Sequence, residues 1–438
     1  MSTPNLPLAV VGYLNKYGSD IWSVKLKSKK HYDNVIVVPA IAEYDNISKL
    51  LNSLGKNDKK YFDRTLVLFV INCSGNAPDE IKRDNEKTIE MLNRSIHSNE
   101  MNIGYVNASS PGLYMPEKDA GVGLARKIGM DLSLSLFDYS SPNKKLIICL
   151  DADCEVDSNY LTTIVDSFNN RNMNAAVIEY EHSLPDNELE RSAIISYEIF
   201  LRYYVIGLAY AKSPYAFHTV GSTMACDHQT YIRVGGMNKR KAAEDFYFLE
   251  KLAKVVSINK INGTKVYPSN RTSWRVPFGT GQRMNRFKAG THDEYSLFNP
   301  ELFEILAAWN KIFFSNKRLA GKEYILIAGE IEQGLKRFLE INSFEEQWDK
   351  ILGNAKSESQ ICKQKKTWFD GFRTLKLIHY LRDNGHPNIN MFTALDILFN
   401  KLNLHRKINR EENIPPVDVQ LGYLKQLKEA EALMTGGD

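Results

Sequence analysis

The sequence predicts an α/β protein: a mostly parallel sheet flanked by helices, followed by a helical C-terminal region. Three observations predict it. Up to about residue 180, apolar runs of strand length alternate with helical patterns, the order expected of βαβ units. From about residue 295, strand-like runs give way to helical ones. Between them, KLIICLDADCEVDSNYL at 145–161 passes abruptly from an apolar run to acids on alternate positions, as a buried strand does when it ends at a polar rim.

The elements follow in order. VIVV at 35–38 is a short buried strand ending at Pro39, and Ile47, Leu50, Leu51 and Leu54 repeat at helical spacing after it. LVLFVI at 66–71 is a second strand, and the polar stretch 79–98 carries Ile81, Ile89, Leu92 and Ile96 near helical spacing. Residues 103–106 form a third, weaker strand, 118–137 a helix with glycines near its start, 146–150 a fourth strand and 175–178 a fifth. In open parallel sheets, ligands sit beyond the carboxyl ends of the strands. That rule sets residues 39–43, 72–76 and 151–157 along one rim. Beyond it, 301–312, 322–340 and 368–383 read as helices, and the polar, lysine-rich 353–366 as an exposed linker. The expected division is an α/β domain over 1–294, carrying that rim, and a helical region over 295–438.

Composition narrows the classes. The 438 residues allow two or three domains, and a net charge of +4 is too mild to argue for nucleic acid. Five scattered cysteines without a CxxC pair argue against a zinc site and fit a reducing compartment. The N-terminal stretch has a short apolar run and no charged leader, so no signal peptide is expected. The most lipid-like segment, 194–211, carries Glu198 and Arg202 mid-span, which favours a buried or interfacial helix over a membrane span.

The acids carry the chemistry. Asp151 and Asp153, two apart after a strand, can reach one hard cation that keeps positions open for phosphate oxygens. Each also has an ordinary use: Asp153 suits a turn, and Asp157 with Ser158 suits a helix N-cap. A second acidic pair, Glu244-Asp245, follows Gly235-Gly236 and opens a helical pattern. It suits either a first helical turn or a general base. Arg126 follows the Gly121-Val122-Gly123 turn near a helix start, a candidate anion contact. Arg271, Arg275, Arg283 and Arg286 surround Gly279-Thr280-Gly281, a loop suited to a diphosphate or an anionic acceptor, or else simply solvated. Trp274 could stack on a sugar face or pack inside.

Four stretches, VVPAIAE (37–43), DAGVGLARKIGMDLSL (119–134), IICLDAD (147–153) and VGGMNKRKAAEDF (234–246), together resemble the family-2 glycosyltransferases and their GT-A relatives, whose sheet is Rossmann-like. The likeness spans roughly residues 34 to 290. It implies that Pro39, Ala40 and Glu43 line a nucleotide pocket, and that Asp151, Ala152 and Asp153 form a DxD element holding Mn2+ or Mg2+ and the donor diphosphate. It implies that Asp245, beside Glu244, is the base of an inverting transfer. Gly221 and Ser222 match the strand near the acceptor, and His292 is the candidate for a further metal ligand; His218 is an acceptor-side or packed residue. Asn72 stands where the family usually has an Asp in its base and ribose site, a departure that bears on base specificity.

The expected function is a metal-dependent glycosyltransferase of hexosyltransferase type, moving a sugar from a nucleotide-diphosphate donor to a hydroxyl acceptor with inversion. The acceptor is a glycan, a small molecule or a lipid-linked species, as in polysaccharide biosynthesis. The setting is cytoplasmic, in solution or peripheral to the inner face of a membrane, with no nucleic acid partner. Two alternatives stay open: an idle glycan- or nucleotide-sugar-binding protein on the same scaffold, and a DxD-type phosphatase. Glu155 stands where the phosphatase chemistry commonly has Thr or Val. A nucleotidyltransferase would need a glycine-rich loop that PAIAEYDN lacks.

Overall fold

The computed structural model describes residues 6–28, 30–271, 279–404 and 408–435. The chain forms two compact units: Met1–Ser183 with Thr219–Gln282, and Leu184–His218 with Arg283–Asp438.

The first unit is built on a nine-stranded sheet: β1 (Val24–Leu26), β2 (Asn34–Ala40), β3 (Thr65–Asn72), β4 (Asn102–Ala108), β5 (Leu146–Cys149), β6 (Glu155–Val156), β7 (Ala175–Tyr180), β8 (Met224–Asp227) and β9 (Ile258–Tyr267). Their spatial order is β1-β4-β3-β2-β5-β8-β7-β9-β6. β4, β3, β2 and β5 run parallel, and β8 enters antiparallel between β5 and β7. Every residue of β2 and β3 is buried, as expected of central strands covered on both faces. The mostly parallel sheet expected from the sequence is therefore present, with its helices.

Four strands had no sequence signal. β1, β6 and β8 have two to four residues each, too short for a period to show. β9, INKINGTKVY, mixes exposed, half-buried and buried positions, contains Gly263 at φ 88°, and is rich in Asn and Lys, so its sequence looks like a polar loop. Asp157 is not a helix cap. Its carboxylate accepts from Lys265 N (2.8 Å) and the Tyr267 hydroxyl (3.0 Å), fastening β9, and Asn159 stands at the N-cap instead.

The second unit is helical. Its core includes the helix Glu188–Tyr210, which precedes the rest of the unit in sequence; a boundary at residue 294 cuts through this unit. That helix is long and apolar enough to cross a membrane, yet 72% of its most apolar window is buried. Aromatic side chains dominate the core: Trp309 stacks on Phe313 at 4.9 Å and Phe344 meets Trp368 edge-on at 4.6 Å. Two sequence expectations are corrected here. The stretch expected at 322–340 is two helices, Gly321–Ile331 and Gln333–Ile341, broken at the extended Glu332. Most of the expected linker is helical instead, in the helix Glu358–Trp368. Lys365, one of the lysines that gave the segment its solvated look, is buried and donates to the Ser315 and Lys317 carbonyls at 2.6 and 2.8 Å.

Candidate active site

β2, β3 and β5 end side by side, so the loops that follow them share a rim. After β2, Ala42 adopts a left-handed φ of 51°, a conformation a non-glycine residue holds only when its surroundings impose it. Its N–H donates to Asn85 Oδ1 at 2.9 Å, and Tyr44 N–H donates to Asp84 Oδ1 at 3.2 Å. Pro39 and Ala40 are buried at the end of β2, and Glu43 is buried just beyond. Asn72 spends its amide donors on the Ala40 and Val70 carbonyls, both at 3.0 Å, stitching the ends of β2 and β3. An ionised Asp could donate neither bond, which gives the departure at this position a local physical reason.

After β5, Asp151 and Asp153 keep side-chain exposures of 37% and 21%, while Ala152 between them is buried. Glu155, by contrast, is exposed on β6. Of the four alternating acids, only the first two join the other site carboxylates.

Arg126 reaches them from the helix Val122–Ser133. That helix seats closely because Gly129 has no Cβ; one would lie 2.5 Å from a Val37 methyl. At its start, a Cβ on Gly123 would fall 2.3 Å from the Arg240 carbonyl oxygen. Gly123 thus admits the loop before Glu244. Arg126 is buried at 2% side-chain exposure and pairs with both Asp151 and Glu244. Burial opposes its charge, but Asp151 and Glu244 outweigh burial and raise its pKa. Gly221 lies under the guanidinium, whose atoms would be 2.5–2.8 Å from an added Cβ. Gly221 and Ser222, expected on the acceptor side, are both buried.

A second bridge was missed at the level of sequence. Arg271 pairs with Glu43 and, at 2.9 Å, with Asp153. It joins the loops after β2 and β5 from a point 228 residues beyond Glu43, a separation that no local pattern reports.

Glu244 and Asp245 open the helix Glu244–Ala253, preceded by Ala243 at a left-handed φ of 56°. Asn238 Nδ2 donates to the Glu244 carbonyl at 2.8 Å, and Phe246 N–H donates to Asp245 Oδ1 at 2.7 Å. Burial, then the neighbouring Glu244 carboxylate, push Asp245 up to about 7, against the opposing charge of Arg126. Burial also raises Glu244, opposed by Arg126. Asp153 is pushed up to about 6, again chiefly by burial, with Arg271 opposing.

The cluster holds the carboxyl groups of Glu43, Asp151, Asp153, Glu244 and Asp245 against the guanidiniums of Arg126 and Arg271. That surplus of negative charge, and the two partly exposed hard oxygen donors on one loop, fit a divalent cation. Among the described residues, no group of three His, Cys, Asp or Glu side chains is placed to hold a metal. His292 is exposed in the second unit, its Nδ1 2.9 Å from the Thr291 hydroxyl. His218, in the same unit, is buried with its Nε2 3.0 Å from Glu431. Arg283 and Arg286 of the expected basic loop both pair with the buried Glu294. Trp274 and Arg275 lie outside the described residues.

No family model and no curated protein matches the sequence. Solved structures that resemble the fold include glycosyltransferases. S. aureus TarS 1–349 aligns at 13% identity and a TM-score of 0.37, over 77% of this chain and 91% of that one. The mannosyltransferase PcManGT from Pyrobaculum calidifontis, in complex with GDP-Man and Mn2+, aligns at 13% and 0.38, over 98% and 94%. GalNAc-T7 with UDP, GalNAc and Mn2+ aligns at 12% and 0.34, over 65% and 51%. At these scores the likenesses carry no weight in assigning an activity.

Proposed function

We propose that the chain is a nucleotide-sugar-dependent glycosyltransferase, with Asp245 as the base of an inverting transfer to a hydroxyl acceptor. The observation that carries this is the geometry: buried Arg126 links the Asp151 that begins the DxD element to Glu244, beside which Asp245 opens a helix, and burial raises the Asp245 carboxyl to about 7. A base does most when its pKa lies near the working pH, where positioned proton transfer contributes on the order of 10²–10⁴-fold.

In the proposed reaction, the acceptor hydroxyl loses its proton to Asp245 as its oxygen bonds to the anomeric carbon. The bond from that carbon to the diphosphate breaks, and the nucleoside diphosphate leaves with the bonding pair. Asp245 then returns the proton to solvent. Arg126 keeps Glu244 charge-compensated, so that the neighbouring carboxyl can ionise near neutral pH. Arg271, two-thirds buried at the rim, would exchange its carboxylate partners for donor phosphate. Asp151 and Asp153 would hold Mn2+ or Mg2+, which supplies positive charge opposite the leaving diphosphate. A phosphatase using Asp151 as nucleophile is the second reading, and Glu155 stands where that chemistry commonly has Thr or Val. The proposed setting remains the cytoplasm, with a hexose donor and a glycan, small-molecule or lipid-linked acceptor.

The test is a panel of UDP-, GDP- and dTDP-sugars with Mn2+ or Mg2+, read by thermal shift and by release of nucleoside diphosphate. One donor should stabilise the protein and turn over. Asp245→Asn should keep the stabilisation and lose the turnover. Stabilisation without turnover in the unaltered protein would identify an idle binder, and phosphate release from small phosphoesters a phosphatase.

A further inference from the structure

The N-terminal helix Leu8–Tyr17 lies outside the motifs that suggested the function, yet it is wired into the support of the Glu244-Asp245 pair. Tyr13 Oη donates to Asp131 Oδ1 at 2.8 Å, and Tyr231 Oη donates to the same oxygen at 2.6 Å. Lys127 Nζ donates to Asp131 Oδ2 at 2.8 Å and to the Tyr13 hydroxyl at 3.3 Å. All four side chains are buried. Burial and the Asp131 carboxylate raise the pKa of Tyr13, so the hydroxyl stays protonated and remains a donor. A buried carboxylate with both oxygens bonded in this way rigidifies what it joins.

What it joins is the loop that delivers the proposed base. Gly236 sits at φ 70°, and a Cβ there would lie 1.9 Å from Tyr13 Oη and 3.0 Å from Tyr231 Oη. The Gly236 N–H donates to the Tyr231 carbonyl at 3.0 Å, and Lys251 Nζ donates to the Gly236 carbonyl at 3.2 Å. Two residues on, Asn238 holds the Glu244 carbonyl. From the other direction, Arg126 holds the Glu244 carboxylate, and it stands next to Lys127 on the same helix. Glu244 is thus held from both ends by groups whose neighbours converge on Asp131 and Tyr13.

We infer that Tyr13 is a positioning residue: through Asp131 and the Gly235-Gly236 turn, the N-terminal helix sets the placement of Glu244 and Asp245. This rests on the proposed function for its catalytic consequence, but its structural half does not. Tyr13→Phe keeps the ring and removes only the hydroxyl. In the full chain, amides of 236–245 should exchange with deuterium about tenfold faster, while those of β3 stay unchanged. With the donor that turns over, kcat should fall about tenfold, KM for the donor should hold, and the pH midpoint of kcat should move from about 7. Asp131→Asn should do the same, and Leu8→Ala, at a position 90% exposed, should do neither. Unchanged exchange at 236–245 in both variants overturns the inference, as does a uniform rise across the sheet, which marks a merely structural loss. Faster exchange confined to 236–245 upholds it, even if neither the altered nor the unaltered protein turns over any nucleotide sugar. That last result would remove the proposed activity alone.

Discussion

Arg126 donates to the carboxylate of Glu244 while its other terminal nitrogen holds Asp151. One guanidinium, 2% exposed, is therefore counter-ion both to the start of the DxD element and to the residue beside the proposed base. A planar fork suits two carboxylates in a way a lysine ammonium does not.

Replacing Arg126 should separate these roles. Arg126→Met leaves two facing carboxylates without their shared cation and should cost about 3–5 kcal/mol in urea unfolding. Arg126→Lys should fold but bridge less well. Because Arg126 favours the ionised form of Asp245, weakening it raises that pKa, so the rising limb of kcat against pH should move above 7. A limb that stays put would show that Arg126 does not govern the base.

Asp245 also links activity to stability. Its folded pKa of about 7 lies above the ordinary value of 3.8, so the folded state holds the proton more tightly than the unfolded one. The sign follows: stability falls as pH rises through the window from about 4 to about 7. Asp245→Asn should flatten that fall and stabilise the protein by about 1–2 kcal/mol at pH 8, discounted for a carboxyl that is only half-buried. At pH 4 the gain should vanish. Melting temperatures at the two pH values decide it.

Arg271 and a divalent ion would compete for Asp153. Arg271→Gln removes a cation 2.9 Å from that carboxylate, a charge of the same sign as the metal ion. Mn2+ alone should then bind about tenfold tighter by electron paramagnetic resonance titration. Weaker binding would show instead that Arg271 orders the two loops for the ion. Asp153→Asn should abolish the binding in either background.

The second unit has its own buried charge network. Glu431 accepts from Arg202 Nη1 at 2.7 Å and sits 3.0 Å from His218 Nε2, while Arg202 Nε reaches Glu198 at 3.2 Å. These bonds fasten the helix Val417–Thr435 to the helix Glu188–Tyr210. Glu431→Ala removes an acid paired with a guanidinium 3% exposed and should destabilise by about 3–5 kcal/mol in denaturant unfolding. A loss under about 1 kcal/mol would mean that Glu198 suffices.

The sequence by itself determined the parallel core, because β2, β3 and β5 are apolar runs and burial on both faces demands that. It also located Asp151, Asp153, Glu244 and Asp245, since a strand end and a helix start are local features with local signals. Other elements were invisible. β8 is four residues long, β9 reads as a polar loop, and the lysine-rich helix Glu358–Trp368 hides a buried ammonium. Tertiary structure alone decided which charges meet. Arg126 to Glu244 spans 118 positions, Tyr13 to Asp131 also 118, and Arg271 to Glu43 spans 228. Hydrophobic periodicity constrains neighbours three or four residues apart; an ion pair depends only on where two distant elements dock.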